Sequence, residues 1–549
     1  MSKPEPWRSY LAAAAALAGA VLLTTLIHWE PSGESWGYWH FARRLSHAFE
    51  AVTSDRSPLY TLWLQPFLAL GYPNEILAEY CVSAWLAAAA LCWLLAPRLG
   101  LSWATAISAG WLPFLQQAEP PVQRLAFAAS VAGVALRRRE GGRALAYGLF
   151  AAAGMLRGPY WLFFAAFGAY DLWRWRRGEA LRSAWWGWLP LAGLAVLFFA
   201  FRAQPSQHRW NNAWLCTTDW FPLKGKTLGE TAILSGVNWS YIERRYGTPR
   251  DVDLYFTHQE LFGDAVTLGA ALRVNPRPIL AHMLRNIKAF PSTVVSVFSP
   301  ERFRRGIVPW LLVALLLVAV WRGSEGDPEL RIMLGVGFVI AASVIPVWPQ
   351  SRYYQGLAPA LSVAGFWLGC RARWLAGQRA AWGGAPGALA QAAVVFFFCG
   401  GVWWAGLAGQ LASDARAGTL RLLSQDGMSM KAQAPRLIEA AAGCRGIISL
   451  EHNWFAAFLP EPAPESYDVF EVPPFRQAGG GAYDGLRPDR IDCVFASDTL
   501  MKNLGWGTNY GLRWRLWIEP YERVLLGMGA ERRELPGYGH VVLLRQPAR

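Results

Sequence analysis

The sequence predicts a polytopic α-helical membrane protein of about eleven transmembrane helices, with a small α/β extracytoplasmic domain at its C-terminal end. Hydrophobic residues make up 54% of the 549 residues and charged residues only 16%, a balance typical of membrane proteins. Apolar stretches recur in residues 1–410, whereas residues 411–549 mix polar and apolar residues with abundant Gly and Pro. These two observations predict two domains, 1–410 in the membrane and 411–549 outside it.

The predicted transmembrane helices are apolar stretches, several of them short for the ~20 residues that a bilayer requires. They lie at residues 10–27, 76–95, 101–115, 122–136, 144–156, 160–173, 184–201, 307–320, 332–347, 353–369 and 389–407. Residues 58–70 are also apolar, but two prolines and the short length favour a partly embedded return from the first loop.

Basic residues are unequally divided between alternate loops, and cytoplasmic loops carry the excess. With the N-terminus inside, the inner loops hold sixteen Lys and Arg residues. The outer short loops hold only Arg43, Arg44, Arg56, Arg124, Arg157 and Arg352. This bias places the first loop (28–57), the long loop (202–306) and the C-terminal domain outside, which for a bacterial inner membrane means the periplasm.

The net charge of +14 does not indicate a nucleic-acid partner. Residues 411–549 contain 16 basic and 16 acidic residues, so the whole excess belongs to the apolar part, where basic residues set orientation.

The C-terminal domain contains runs that read as buried strands at 446–450, 491–497 and 540–545, and a helix at 432–442. Its two cysteines, Cys444 and Cys493, could form a disulfide in an oxidising compartment, or remain unpaired thiols. The chain has no C-x-x-C pair and no Cys/His zinc spacing, so no structural metal is predicted.

The first outer loop is acidic and rich in aromatic residues. Carboxylates are costly at a bilayer surface, so Glu30 and Glu34 are candidate functional groups. This loop contains GESWGY at 33–38 and is followed by the proline-containing return SPLY at 57–60 and by many spans, with GMLRGP at 154–159 and SRYY at 351–354. In this pattern the chain resembles the GT-C superfamily of polyprenyl-phosphate-sugar-dependent membrane glycosyltransferases, which includes the protein O-mannosyltransferases and the aminoarabinose transferases of lipid A.

Three local patterns carry the resemblance. Residues 33–38, GESWGY, with the return SPLY at 57–60, are similar to the acidic, Tyr-containing first-loop pattern of the family. GMLRGP at 154–159 is similar to its basic residue before a proline at a break within the membrane, and SRYY at 351–354 with Pro359 to its Arg-Tyr and Pro pattern. The family often has an adjacent Asp-Glu pair or an aspartate, whereas Glu30 and Glu34 stand apart.

The resemblance implies transfer of a sugar from a polyprenyl-phosphate donor to an acceptor hydroxyl of a lipid, glycan or protein. Such a donor already has a good leaving group, so the enzyme needs a base and cations for the departing phosphate. Glu34 is the predicted base, and Glu30 the alternative base or its partner. Arginine binds phosphate bidentately, which makes Arg352 and Arg157 candidate phosphate ligands. Tyr353 could orient the phosphate, and Glu119 occupies a loop where the family tends to place a polar residue.

Simpler interpretations exist for each residue. Glu34 and Glu119 could be ordinary interfacial carboxylates, Arg157 and Arg352 could contact lipid headgroups, and Tyr353 could anchor at the interface. Glu30 and Glu34 could bind Mg²⁺ or Mn²⁺, although nothing in the sequence requires a cofactor.

Two other functions remain open. One is an O-antigen ligase or polymerase acting on diphosphate-linked glycans, and the other is a lipid or solute transporter. A transporter predicts ionisable residues at mid-membrane depth. The predicted spans are almost free of carboxylates, with Asp171 near an inner end, which disfavours ion-coupled transport.

Overall fold

The structure is a computed structural model that describes part of the chain. The described residues are 6–28, 38–39, 42–43, 57–71, 74–117, 121–139, 141–178, 268–298, 306–343, 351–379, 385–416, 435–449, 455, 459, 465–468, 477–478, 482–483, 491–497, 518–536 and 538–544. Contacts divide the chain into two compact units, one of residues 1–32, 56–202 and 285–425 and one of residues 33–55, 203–284 and 426–549.

The described part of residues 1–416 is helical, as predicted. Its helices are α1 (Pro6–His28), α2 (Pro58–Leu64), α3 (Asn74–Leu99), α4 (Leu101–Gly110), α5 (Leu112–Gln117), α6 (Val122–Arg137), α7 (Arg143–Leu156), α8 (Trp161–Arg176), α9 (Leu268–Val274), α10 (Pro276–Ser296), α11 (Val308–Gly323), α12 (Pro328–Ala342), α13 (Ala358–Arg379), α14 (Ala385–Phe398) and α15 (Gly401–Arg416). Short 3-10 turns lie at Gln65–Leu70, Gly158–Tyr160 and Ser351–Leu357.

The predicted count of eleven spans is not supported. Among the described residues, two helical segments, Trp7–Leu26 and Asn74–Leu99, are long and apolar enough to cross a membrane. A third span results if the bent pair Pro386–Phe398 and Gly401–Ser413 is counted as one. The predicted span at 184–201 lies outside the described residues.

Helix length and charge explain the difference. α7, α11 and α12 have 14, 16 and 15 residues. At about 1.5 Å per residue they fall short of a hydrocarbon core of about 30 Å. The predicted span 101–115 is divided at Trp111 between α4 and α5. α13 is long enough, with 22 residues, but its C-terminal half carries Arg371 and Arg373.

The relative directions of α3, α6, α7 and α8 decide which of their ends lie together. α6 packs against α7 and α7 against α8, and the short turns between them make these neighbours antiparallel. α3 packs against α6 with like ends together, since Arg138 just after α6 donates to the carbonyl oxygen of Leu94 near the end of α3. The N-terminal ends of α3 and α6 therefore lie on one side, and their C-terminal ends on the other.

A sharp bend separates α14 from α15. The two helices meet at 77°, and Gly400 between them has a φ of +90°. A Cβ atom at Gly400 would overlap the carbonyl oxygen of Gly110 at the end of α4. Glycine is therefore required both for the backbone conformation and for the close approach of the two chain segments.

The C-terminal region forms a small α/β unit, as predicted. Its strands are β1 (Gly446–Ser449), β2 (Glu465–Asp468), β3 (Gln477–Ala478), β4 (Ala482–Tyr483), β5 (Cys493–Ser497), β6 (Glu531–Leu535) and β7 (Gly539–Leu543), with helix α16 at Glu519–Gly527. Residues 435–441 are also helical. Three of the strands, β1, β5 and β7, lie where the sequence predicts them.

The main sheet has the order β2-β1-β5-β7-β6. β2, β1 and β5 are parallel, whereas β7 runs antiparallel to both of its neighbours. All residues of β1 and β5 are buried, which agrees with their continuous apolar sequences. β6, at one edge of the described sheet, has the sequence ERREL and largely exposed side chains.

A disulfide joins Cys444 to Cys493, a pairing that the sequence left open. It connects the chain just before β1 to the first residue of β5. The carboxylate of the adjacent Asp492 accepts the backbone N–H groups of Arg445 at 2.8 Å and Gly446 at 3.3 Å. Both contacts tie the N-terminal ends of the two central parallel strands together.

Candidate functional site

Five of the six predicted site residues have side chains outside the described part of the chain. Glu30, Glu34 and Glu119 lie entirely outside it. Arg352 and Tyr353 have a described backbone in the turn Ser351–Leu357, but their side chains are not described. Their predicted roles therefore stay predictions.

Arg157 marks a break between two helices, as predicted. α7 ends at Leu156, Arg157 is extended with φ −146° and ψ 118°, and the turn Gly158–Tyr160 leads into α8. Proline at position 159 explains why α7 does not continue. The side chain of Arg157 is half-buried.

The SPLY return at 57–60 lies beside the second motif segment, GMLRGP at 154–159. Ser57 caps α2, and its Oγ accepts the N–H of Tyr60 at 3.3 Å. The same hydroxyl donates to the carbonyl oxygen of Met155 at 2.9 Å, two residues before Arg157. The return from the first loop and the break at Arg157 are therefore in direct contact.

The third motif segment packs on other helices of the same unit. Tyr354 and Gln355 follow Tyr353 and are buried. Gln355 Nε2 donates to the carbonyl oxygen of Leu115 in α5 at 3.1 Å, and the turn Ser351–Leu357 also contacts α6, α12 and α13. The backbone before α13 is thereby fixed against the C-terminal end of α5.

A buried polar cluster lies at the N-terminal ends of α3 and α6. The side chain of Glu79 is 1% exposed, and its Oε1 accepts Nε1–H of Trp63 at 3.3 Å. The hydroxyl groups of Tyr60 and Ser83 also interact with this carboxylate. Sequence reasoning missed Glu79, although it lies within the predicted span 76–95 and is an exception to the near absence of carboxylates from the predicted spans.

Arg124 completes the cluster from the first turn of α6. It is fully buried, its guanidinium carbon lies 4.1 Å from the ring centre of Tyr80, and it attracts Glu79 electrostatically. Among the described residues, none of its three guanidinium nitrogens has a hydrogen-bond partner. One signal in the sequence could have found it, since Arg124 is one of the six basic residues that oppose the charge bias.

Hydrogen bonds tie this cluster to neighbouring helices. The hydroxyl of Tyr80 donates to the carbonyl oxygen of Gln116 at 3.1 Å, and Gln116 Nε2 donates to Oγ1 of Thr25 at 2.9 Å. Thr25 is in the last turn of α1. The N-terminal end of α3 is thus linked to the C-terminal ends of α1 and α5.

A second charged network lies at the C-terminal ends of α6 and α8, and there the polar groups are well paired. Arg137 makes two hydrogen bonds to Asp171, at 2.8 and 2.6 Å, and approaches Glu329 at 3.3 Å. Tyr147 donates to the carboxylate of Asp171 at 2.7 Å. Such a bidentate pair is typical of a structural contact between helices.

In the C-terminal unit, two buried polar groups pair with each other. His540 Nε2 and Glu522 Oε1 lie 3.0 Å apart, and the side chains are 6% and 8% exposed. The Sγ atoms of Cys444 and Cys493 and a carboxylate oxygen of Asp492 lie within 4.8 Å of one another. The disulfide occupies both sulfur atoms, so this group of residues offers no metal site in its oxidised form.

No family model, curated protein or solved structure matches this chain. The functional interpretation therefore depends on the residues and contacts described above.

Proposed function

We propose that the chain is a membrane glycosyltransferase of the inner membrane that transfers a sugar from a polyprenyl-phosphate-linked donor to an acceptor hydroxyl on the outer face. The observation that supports this most directly is the contact between Ser57 and Met155. It brings together the SPLY return at 57–60 and the GMLRGP segment at 154–159, two of the sequences on which the resemblance to GT-C enzymes depends.

Exposed apolar surface supports the membrane setting. Large apolar side chains on α11 are exposed, among them Trp310, Leu311 and Trp321. On α10, Leu280, Leu284 and Ile287 form an exposed stripe at helical spacing. Apolar surface of this extent on a soluble monomer is unusual, and Trp residues near helix ends suit the membrane interface.

In the proposed reaction, the carboxylate of Glu34 takes the proton of the acceptor hydroxyl, with Glu30 as the alternative base. The acceptor oxygen forms a bond to the anomeric carbon of the sugar, and the bond from that carbon to the phosphate oxygen breaks. The polyprenyl phosphate leaves with the electron pair, and Arg352 and Arg157 stabilise its charge. Tyr353 and Glu119 are proposed to position donor and acceptor.

The test is sugar transfer or release by the purified protein in lipid nanodiscs, with a panel of polyprenyl-phosphate sugars. We expect turnover by the wild type and a loss of at least about 100-fold in Glu34→Gln, because general base catalysis contributes about that much. Glu325→Gln is the matched control, since Glu325 is an exposed carboxylate in the turn between α11 and α12. Equal turnover by wild type and Glu34→Gln would exclude Glu34 as the base.

One observation favours transport as the second candidate. Glu79 and Arg124 are buried ionisable residues, and Glu79 lies within a helix long enough to span a membrane. Absence of turnover with every monophosphate donor, combined with uptake of a lipid or solute that Glu79→Gln abolishes, would favour transport over transfer. Turnover with diphosphate-linked glycans alone would favour the ligase or polymerase.

A further inference from the structure

Arg124 is buried in a way that leaves its hydrogen-bonding capacity unused. The guanidinium has five N–H donors, and among the described residues none of its three nitrogens has an acceptor. The residue has no exposed surface, so bulk water does not supply one. Leaving a buried charged donor without acceptors costs more free energy than an ordinary hydrogen bond contributes, so a ligand that brings acceptors to Arg124 would be bound favourably.

A neighbouring carboxylate compensates the charge of Arg124 without occupying its N–H groups. Glu79 attracts Arg124 electrostatically, but its carboxylate is engaged by Trp63, Tyr60 and Ser83 instead. Glu79 therefore offsets the positive charge of Arg124 without a hydrogen bond, and the N–H groups of the guanidinium stay available. A residue that served only as the ion-pair partner of Glu79 would be expected to hydrogen-bond to it.

The surroundings of Arg124 also restrict the guanidinium group. The ring of Tyr80 lies against it, with 4.1 Å from the guanidinium carbon to the ring centre. Tyr80 is itself held by its hydrogen bond to Gln116. Stacking of this kind covers one face of the guanidinium and leaves its edge, which carries the donors, for a ligand.

Arg124 is in the first turn of α6, a helix of 16 residues. The helix dipole at such an end favours an anion, while the backbone N–H groups of Arg124 and Leu125 are already bonded to the carbonyl oxygen of Pro121. The fork of the guanidinium matches two oxygens of one phosphate.

From these observations we infer that Arg124 binds the phosphate ester of a lipid between the N-terminal ends of α3 and α6. The identification of that lipid as the polyprenyl phosphate donor rests on the proposed function. The role of Glu79 in this site is to balance the charge of Arg124 when no phosphate is bound. Because Arg124 has no exposed surface, binding requires local opening of the packing around it, and slow association is expected.

The test compares lipid binding by wild type and variants in phosphatidylcholine nanodiscs. The probes are a polyprenyl monophosphate, the polyprenol of equal chain length without phosphate, and phosphatidylglycerol. Bound lipid is counted by native mass spectrometry, and the unfolding temperature is measured with and without each probe. Arg98→Gln is the matched control, because Arg98 is an exposed arginine at the other end of α3 that donates to the carbonyl oxygen of Glu325.

We expect Arg124→Gln to weaken polyprenyl-phosphate binding by about 10-fold or more, since charge-assisted hydrogen bonds to the phosphate are lost. Arg124→Lys keeps the charge but not the fork, so intermediate binding is expected. Polyprenol should bind weakly to every variant. Without lipid and in a Glu79→Gln background, Arg124→Gln should unfold at the same temperature as the Glu79→Gln parent or higher, because the second substitution then removes a buried charge that has neither acceptors nor a counter-charge.

Equal polyprenyl-phosphate affinity in wild type and Arg124→Gln would overturn the inference. If the lipid-free Arg124→Gln variant also unfolds at a lower temperature than wild type, the role of Arg124 is structural. If phosphatidylglycerol binds as tightly as the polyprenyl phosphate and with the same dependence on Arg124, Arg124 binds a lipid phosphate, but the ligand is a phospholipid headgroup and not specifically the donor. If binding depends on Arg124 but no donor is turned over, the site stands and the proposed glycosyl transfer fails.

Discussion

Arg124 and Arg137 are buried arginines on the same helix, α6, and they differ in what surrounds their guanidinium groups. Arg137 is held by two hydrogen bonds to Asp171. Arg124 has an aromatic ring on one face and no hydrogen-bond acceptor among the described residues. Residue type and burial are the same, so the difference in pairing is what separates a structural arginine from a candidate binding residue.

The stability of the C-terminal unit is expected to depend on pH through the carboxyl group of Asp492. Burial raises the pKa of this carboxyl above its usual value, and the N–H groups of Arg445 and Gly446 offset the effect only in part. The folded state therefore binds the proton more tightly than the unfolded state. The favourable contribution to stability is complete below the unfolded pKa, about 4, and is lost as the pH rises through the raised folded pKa.

We expect Asp492→Asn to remove this dependence, because the Asn side-chain oxygen can still accept both N–H groups without a charge. The measurement is the unfolding temperature of the C-terminal unit in the full-length protein between acidic and neutral pH. As the pH rises, the unfolding temperature of Asp492→Asn should increase relative to that of the wild type. Glu534→Gln, on the exposed strand β6, is the control. A variant that is less stable than wild type at neutral pH would contradict the assignment.

Among the predicted site residues, sequence and structure agree where a local pattern is sufficient. The proline at position 159 predicts the break at Arg157. The helix cap at Ser57 was not predicted, although Ser at the cap and Pro at the first helical position are common residue types there. The partners of Glu79 and Arg124 could not be predicted. They come from α2, α3 and α6, and only the packing of those helices decides whether a guanidinium meets a carboxylate or a ring.

At the scale of single elements, the bend between α14 and α15 depends on one glycine. An alanine at Gly400 would need a left-handed backbone conformation and would place its Cβ against the carbonyl of Gly110. At Gly406, inside α15, an added Cβ would meet no atom within 4 Å, so alanine is compatible there.

We therefore expect Gly400→Ala to destabilise the protein by about 2–4 kcal/mol. Gly406→Ala should be neutral or stabilise by up to about 1 kcal/mol, since alanine is the better helix former. Unfolding temperatures of both variants in the same detergent provide the comparison. Similar values for the two variants would show that α14 and α15 do not need the bend.

Helix type was predictable from apolar periodicity and length, whereas helix extent was not. Hydropathy alone does not distinguish a span from a short buried helix, and about half of the residues of α7 and of α12 are buried. The strands β1 and β5 were predictable because continuous β-branched and apolar runs between turn residues have few alternatives. β6 has no such signal, since its sequence is almost entirely charged.

For the whole molecule, the side of the membrane on which the C-terminal unit lies stays a prediction from the basic loops, and the disulfide between Cys444 and Cys493 offers a way to test it. Disulfides form and persist outside the reducing cytoplasm. Both the charge bias and the disulfide therefore favour an oxidising compartment for residues 426–549.

We expect the thiols of Cys444 and Cys493 to react with a membrane-impermeant maleimide in spheroplasts only after the disulfide has been reduced by a reductant added to the medium. The measurement uses a variant in which the other cysteines, Cys81, Cys92, Cys216, Cys370 and Cys399, are replaced by serine. Further replacement of Cys444 and Cys493 is the control for background labelling, and should lower the stability of the C-terminal unit by about 2–4 kcal/mol. Labelling that requires lysis and no reductant would place the unit in the cytoplasm.

The charged side chains of strand β6 oppose pairing of this sheet edge with a strand from another molecule. A sheet edge presents free N–H and C=O groups that a strand from another molecule can use. Along β6, Glu531 and Glu534 flank Arg532 and Arg533, and two ion pairs form within the strand itself. A second copy aligned with this edge would bury those charges, so many copies of the C-terminal unit can lie close together without their sheets joining into a fibre.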